Sequence, residues 1–135
     1  MNLDAALTLR VSAPLVIAAG HELEVAFTLH NSSNLNLALC SPSGVTTYLQ
    51  SQTPSYVWPI IIHAWTTDTY CSGPFILAPG QDKIFRERGG VRNELPDGTA
   101  LVVGKLSLHC DPRKRLRCRD IQLETHQAVS VQALQ

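Results

Sequence analysis

The sequence predicts an all-β protein, an antiparallel β-sandwich of seven to eight strands. Apolar and polar residues alternate along most of the chain, and turn signals rich in Gly, Pro, Asn and Ser separate the alternating runs. No segment shows the periodicity of an amphipathic helix. The chain has 135 residues, of which 44% are hydrophobic, which is sufficient for a buried core. We therefore predict one domain over residues 1–135.

The first third of the chain predicts three strands. Ala6–Val11 is expected to be the first, followed by a kink at Pro14. Apolar side chains then occupy every second position over residues 23–29, which is typical of a half-buried strand. A polar turn, Asn31–Asn34, leads to a second alternating run over residues 35–39. We expect these two runs to be consecutive antiparallel strands joined by that turn.

The remaining strands follow from turn residues and composition. Val45–Ser55 is expected to be a loop or a short edge strand, and Pro59 favours an edge or a bulge at the start of the apolar run Val57–Trp65. Gly104 predicts a bulge or a close approach within a long strand. The later strands are expected at 75–77, 83–88, 99–110 and within 117–131. This number and spacing of strands is typical of an immunoglobulin-like sandwich.

Three stretches carry a resemblance to a known family. They are GHELEVAFTLHNSSNLNLAL from Gly20, the Leu77-Ala78-Pro79-Gly80 turn followed by Phe85, and Leu95-Pro96-Asp97-Gly98-Thr99 leading to Gly104-Lys105-Leu106. Together they resemble bacterial immunoglobulin-like domains, and among these the intracellular proteinase-inhibitor-like family, over about residues 15–108. Ala100 stands where that family has an aromatic residue. The resemblance implies the sandwich fold, with protease inhibition as an alternative function.

The four cysteines predict two disulfides. An even number of cysteines, with Cys110 and Cys118 at hairpin-like spacing, is typical of a domain folded outside the cytoplasm. Of the three pairings we favour Cys40–Cys71 with Cys110–Cys118. We therefore expect a periplasmic or secreted protein of the cell envelope, in a form from which an export signal is absent.

A metal site is the alternative use of the cysteines. His109, Cys110 and Cys118 would be three ligands, with His63 or Cys71 as a fourth. Adjacent residues of a strand point to opposite faces, so His109 and Cys110 are poorly placed to share one ion, and we expect no bound metal or cofactor.

Two groups of residues are candidate contacts with a partner. Aromatic residues cluster between positions 48 and 70, and those in or near polar surroundings are the candidates for a binding loop: Tyr48, Tyr56 and Trp58. A basic cluster enclosed by the last two cysteines is expected to form a cationic hairpin tip: Arg113, Lys114, Arg115, Arg117 and Arg119. A core role for the aromatic residues and a solvated turn for the basic ones remain open.

The sequence contains no motif of a known catalytic class, so we expect no enzyme. Eleven basic residues balance eleven acidic ones, which argues against nucleic-acid binding, and no apolar stretch is long enough to span a membrane. The sequence therefore predicts a non-catalytic exported domain that binds a protein or a surface glycan. The alternatives are a proteinase inhibitor, with Gln52–Tyr56 or Arg113–Arg117 as its inhibitory loop, and a metal-binding domain.

Overall fold

Strands make up nearly all of the regular structure in the computed structural model, which describes residues 3–41, 44–61, 73–110 and 120–135. Within these ranges one helical turn, α1, precedes ten strands, two more than the upper end of the predicted number. The elements are α1 (Leu3–Ala6), β1 (Leu7–Ser12), β2 (Val16–Ala18), β3 (Glu22–Asn31), β4 (Leu37–Ser41), β5 (Thr46–Gln52), β6 (Ser55–Ile61), β7 (Gly73–Leu77), β8 (Asp82–Gly90), β9 (Gly98–Cys110) and β10 (Ile121–Gln132).

The strands form two sheets. The small sheet is antiparallel and has the order β1-β3-β8. The large sheet begins with β2, which is parallel to β10, and continues to β9. Beyond β9 the large sheet divides: β5 and then β6 lie alongside Leu101–Lys105, while β4 and then β7 lie beside the end of β9. The two sheets pack face to face, so the predicted all-β, immunoglobulin-like sandwich is confirmed.

The core lies between the two sheets and follows the predicted alternation. Val25, Phe27 and Leu29 of β3 are fully buried, and the residues between them are more exposed. From the large sheet, alternate residues of β9 such as Val102 and Leu106 face them in the same apolar cluster. Alternation along β3 and β9 therefore specifies which face of each strand is buried.

Gly104 marks a close approach between the sheets. A Cβ atom at this position would lie 2.1 Å from Cε1 and 2.6 Å from Cζ of Phe27. The register of β9 is regular here, since Gly104 pairs with Thr47 on one side and with Thr125 on the other. Of the two sequence interpretations, the close approach is confirmed and the bulge is wrong.

The predicted pairing of the two strands around the Asn31–Asn34 turn is wrong, because β3 and β4 belong to different sheets. The side chain of Asn31 is fully buried and holds this crossover. Its Nδ2 donates to the carbonyls of Leu35 (2.8 Å) and Leu77 (2.9 Å), and its Oδ1 accepts from Ser33 N (2.9 Å). Asn31 therefore links the small sheet to β7 of the large sheet.

A second crossover takes the chain from β1 in the small sheet to β2 in the large one. The side chain of Gln127 in β10 holds it, accepting from Ala13 N (3.0 Å) and donating to Ala13 O (2.9 Å). The amide group of Gln127 thus replaces a strand partner for Ala13, immediately before the predicted kink at Pro14.

The two cysteines that the structure describes lie on opposite faces of the large sheet. Cys40 pairs with His109 and faces outward, whereas Cys110 pairs with Leu39 and packs against the core. A direct Cys40–Cys110 bond is therefore excluded, yet neither cysteine is a free thiol. Cys71 and Cys118 lie outside the described residues, so the preferred pairing stays a prediction.

Candidate docking surface

The outer face of the large sheet carries the described part of the predicted aromatic site. On this face Tyr48 of β5 lies between Pro59 of β6 and Val103 of β9, and the next cross-strand neighbour is His126 of β10. A second row runs from Val57 through Gln50 and Leu101 to Ala128. We call the outward side chains of Tyr48, Val57, Leu101, Val103 and His126 the docking face.

Apolar exposure characterises the docking face and its surroundings. Val57 is 60% exposed, and Val16 of β2, on the same side of the sheet, is 51% exposed. Val103 is buried although it faces away from the core, because it lies in the row between Tyr48 and His126. Val57 and Val16 are therefore apolar side chains that a partner could reach on this side of the sheet.

Charge is sparse around Tyr48. The Lys105 ammonium lies 5.4 Å from the centre of the Tyr48 ring, a cation–π contact. Glu124 is the cross-strand neighbour of Lys105, but the two form no ion pair in the part of the chain that the structure describes. One cation and one anion therefore lie beside the docking face without neutralising each other directly.

The other two predicted aromatic contacts do not lie on this face. Tyr56 and Trp58 alternate with Val57 along β6 and pack against the core, so the structure separates them from Tyr48. Burial raises the pKa of the Tyr56 hydroxyl, an effect partly offset by its hydrogen bond with Ser51. The Arg92 guanidinium covers the Trp58 ring at 4.7 Å. The core role that the sequence left open applies to these two residues.

The expected binding loop between Tyr48 and Trp58 is instead a β-hairpin. Residues 46–52 form β5, an interior strand between β6 and β9, so the expectation of a loop or an edge strand is wrong. The turn contains the cis peptide Thr53–Pro54, and Ser55 already belongs to β6. Gln52–Tyr56 is therefore not an extended inhibitory loop. Pro59 lies on β6 beside a bulge, because Tyr48 pairs with Pro59 and Thr47 with Ile61, as the sequence predicts.

The basic cluster lies outside the described residues. This applies to Arg113, Lys114, Arg115, Arg117 and Arg119, and therefore also to the alternative inhibitory segment. Their role as contacts with a partner remains a prediction.

In the described part of the chain, two histidine–aspartate pairs lie outside the docking face. His30 Nδ1 lies 2.6 Å from Asp82 Oδ1 on the outer face of the small sheet, and His109 Nδ1 lies 2.6 Å from Asp120 Oδ1. The described residues bring together no group of three or more His, Cys, Asp or Glu side chains suited to a metal ion. Of the proposed metal ligands, His109 and Cys110 point to opposite faces of β9, as the alternation requires.

Sequence reasoning missed most of the docking face. Val57 lies within the segment from Tyr48 to Trp58 that the sequence predicts as a contact loop, but the sequence assigns no binding role to Leu101, His126 or Val16. The alternating signal in residues 99–110 places Leu101, Val103 and Lys105 on one side, but only the register with β5 and β10 brings them beside Tyr48. Among the described residues no helix has the length and apolar character of a membrane span.

Comparisons with known proteins support the fold. No protein-family model and no curated protein sequence matches the chain, so membership of the proteinase-inhibitor-like family is not confirmed. The chain is similar to the sporulation control protein Spo0M of Bacillus subtilis, with a TM-score of 0.59 and 14% identity over 96% of this chain and 50% of that one. The C-terminal domain of Wzt matches with a TM-score of 0.51 and 8% identity over 96% and 75%. The CARDB domain of PF1109 from Pyrococcus furiosus aligns with a TM-score of 0.47 and 13% identity over 93% of this chain and 91% of that one.

Proposed function

We propose that this chain is a non-catalytic interaction domain that docks a partner protein through the outer face of the large sheet. The observation that carries the proposal is the contrast between the outer faces of the two sheets. The strands of the small sheet present seven ionisable side chains outward, whereas the region around Tyr48 presents the apolar side chains of Val57 and Leu101.

The chemistry of the docking face suits a protein partner. Protein interfaces combine an apolar centre that includes aromatic residues with a polar rim, and charged residues are depleted at the centre. Here Tyr48 and Leu101 occupy the centre, and Lys105 and Glu124 lie in the next row towards one end of the strands. The sheet holds the backbone beneath these side chains, so docking orders little of the main chain.

Two disulfides and export to the periplasm or cell surface are the finer part of the proposal. Cys40 and Cys110 are not free thiols and lie on opposite faces of the large sheet, which is compatible with a separate bond for each. In the loop-entropy model, a Cys40–Cys71 disulfide would stabilise the fold by on the order of 3–4 kcal/mol. A Cys110–Cys118 disulfide would contribute less, because it closes a shorter loop. Disulfides of this kind persist in oxidising compartments, which is the reason for seeking the partner in the cell envelope.

The test compares matched charged substitutions on the two outer faces. Val57 (60% exposed) on the large sheet and Ile84 (52% exposed) on the small sheet are both β-branched strand residues. Val57→Asp and Ile84→Asp therefore introduce the same negative charge, one on each outer face. Immobilised wild type and both variants are incubated with envelope proteins, and the bound proteins are quantified by mass spectrometry. Affinity for each retained protein is then measured with the purified components.

We expect a protein that binds the wild type and Ile84→Asp alike and binds Val57→Asp at least about tenfold more weakly, the effect of burying an unpaired charge in an interface. Tyr48→Ser is expected to weaken the same partner. Equal binding by Val57→Asp and wild type, or a loss confined to Ile84→Asp, would contradict the assignment of the docking face.

A further inference from the structure

The strand β8 leaves one long edge of the small sheet unpaired in the part of the chain that the structure describes. β8 pairs with β3 on one side, and no described strand pairs with it on the other. It has nine residues and contains no proline, whereas β1, at the other edge of this sheet, has six residues. Two outer strands of the large sheet, β6 and β7, each contain a proline, Pro59 and Pro74. β8 is therefore a long edge on which a further strand can pair.

Alternate residues of β8 direct their main-chain groups away from β3. At one end of the strand the N–H of Asn31 donates to the carbonyl of Gln81 (3.1 Å). At the other end the N–H of Val91 donates to the carbonyl of His21 (2.9 Å). In a regular antiparallel ladder every second residue bonds to the same neighbour, so the odd-numbered residues of β8 bond to β3. The main-chain groups of the even-numbered residues therefore lie along the unpaired edge, and all five of these residues are exposed: Asp82, Ile84, Arg86, Arg88 and Gly90.

The charges of β8 complement one another when two copies of the strand run antiparallel. With Phe85 opposite Phe85 of a second copy, Asp82 is opposite Arg88 of that copy. The same register places Lys83 opposite Glu87, and the twofold symmetry makes each of these unlike pairs occur twice. It also places even-numbered residues opposite even-numbered ones, which the main-chain hydrogen bonds of the unpaired edge require.

Neighbouring registers suit the strand less well. A shift of one residue would place even-numbered residues opposite odd-numbered ones, which breaks the main-chain hydrogen bonding. A shift of two residues in one direction puts Arg86 opposite Arg86 of the second copy, a pair of like charges. A shift of two residues in the other direction leaves Arg88 opposite Gly80, outside the strand. In the favoured register the apolar stem of Arg86 instead lies beside Ile84, which is 52% exposed.

The ion pairs within one copy are compatible with this register. Asp82 lies 2.6 Å from His30 on the neighbouring strand. Arg88 lies 3.0 Å from Glu24 and 3.5 Å from Glu22. A carboxylate has two accepting oxygens and a guanidinium group has five N–H donors, so each group can also bind across the edge. Pairing therefore extends the existing ion pairs and does not require that they break.

We propose that the chain forms a homodimer in which the β8 edges of two copies pair antiparallel, with Phe85 at the twofold axis. The two small sheets then join into one sheet of six strands, three from each copy. Main-chain hydrogen bonds between the even-numbered residues supply the attraction, and the unlike charges set the register. Charged residues on an edge strand usually prevent pairing, but the order of the charges on β8 removes this protection against a second copy. The proposal concerns the small sheet and does not rest on the proposed function.

The first test is sedimentation equilibrium of the full chain between about 1 µM and 1 mM, where we expect a monomer–dimer equilibrium. Asp82→Arg places an arginine opposite Arg88 at both ends of the interface, and Arg88→Asp places an aspartate opposite Asp82. Each variant alone is expected to dimerise about tenfold more weakly than the wild type. An equimolar mixture of the two variants is expected to dimerise as the wild type does, because unlike charges then meet at both ends of a mixed dimer.

A second variant tests the main-chain contacts. Arg86→Pro removes an N–H group from the unpaired edge and leaves the ladder between β8 and β3 intact, so it is expected to abolish the dimer. Urea unfolding shows whether this variant folds. If it does not, the mixing experiment decides the question without it.

Three controls keep the result specific to β8. Glu124→Arg reverses a charge on the large sheet and is expected to dimerise as the wild type does. Val57→Asp on the docking face is also expected to leave the dimer unchanged, which distinguishes this proposal from the proposed function. Ile84→Asp places a carboxylate opposite Arg86 of the second copy and is expected to retain the dimer.

Several outcomes would overturn the inference. It fails if the wild type is monomeric over the whole concentration range, or if Arg86→Pro folds and still dimerises as the wild type does. It also fails if the mixture of the two charge-reversal variants dimerises no better than each variant alone. A dimer that Val57→Asp disrupts would place the contact between copies on the docking face and reject β8.

Discussion

Replacing Gly104 with alanine tests the contact that sets the distance between the sheets. The added Cβ would lie 2.1 Å from Phe27 Cε1, about 1.3 Å closer than the lower limit of ordinary van der Waals contact at 3.4 Å. Gly104 is fixed by strand pairing on both sides, and Phe27 is fully buried, so neither group can move away cheaply. Overpacking of this kind costs about 1–3 kcal/mol, and we expect Gly104→Ala to lie at or above the upper end.

The assay is equilibrium unfolding in urea, with the free energy of unfolding taken from the midpoint and slope. Gly90→Ala is the matched control, because a Cβ there would meet nothing within 4 Å, and we expect a change of less than about 1 kcal/mol. Phe27→Leu removes the ring atoms that the new Cβ would meet. Combined with Gly104→Ala, it should therefore give a smaller loss than the sum of the two single losses.

The reasoning is refuted if Gly104→Ala costs less than about 0.5 kcal/mol, or if its cost adds to that of Phe27→Leu without coupling. Either result would mean that the sheets are farther apart at this position than the structure places them.

Three further predictions concern the crossovers and the cysteines. Asn31→Asp replaces two buried N–H donors by a carboxylate facing two carbonyls, so it should cost about 2–4 kcal/mol at neutral pH. Because the folded-state pKa of that carboxyl would be raised, the loss should shrink as the pH falls through the raised pKa and reach its minimum below the ordinary pKa of Asp, as measured by urea unfolding at several pH values. Gln127→Ala should lower the free energy of unfolding by about 1–2 kcal/mol by leaving Ala13 N and O without this partner, and Gln127→Glu should restore only the accepting half. Serine at both Cys110 and Cys118 should lower the free energy of unfolding by only ~1–3 kcal/mol, because the loop that a Cys110–Cys118 disulfide closes is short. Complete loss of folding would contradict this role of the two cysteines.

Alternation predicted the buried faces of the long strands because burial on one side of a sheet imposes a period of two. Val25, Phe27 and Leu29 were assigned to the core in this way. The same signal cannot tell which sheet a strand joins, so β3 and β4 were paired as a hairpin. The decisive interaction is the hydrogen bonding of Asn31, whose partner Leu77 lies far along the chain.

The candidate surfaces were predictable only in part for the same reason. Tyr48 was identified from composition, but Tyr56 and Trp58 were placed with it because proximity in sequence was taken for proximity in space. Alternate residues of β6 face opposite sides of the sheet. The register of the hairpin places Val57 and Pro59 on the same side as Tyr48, so Tyr56 and Trp58 face the core. Arg10 and Arg86 lie far apart in sequence and share one face only because β1 and β8 both pair with β3.

The proposal of an exported domain with two disulfides is tested most directly by the intact mass of the unreduced protein after alkylation under denaturing conditions, with metal content determined on the same sample. Two disulfides predict that no alkyl group is added, and peptide mapping should then show Cys40 bonded to Cys71 and Cys110 to Cys118. Four alkylated cysteines, with or without bound zinc, would contradict the disulfides and the assignment of the protein to an oxidising compartment.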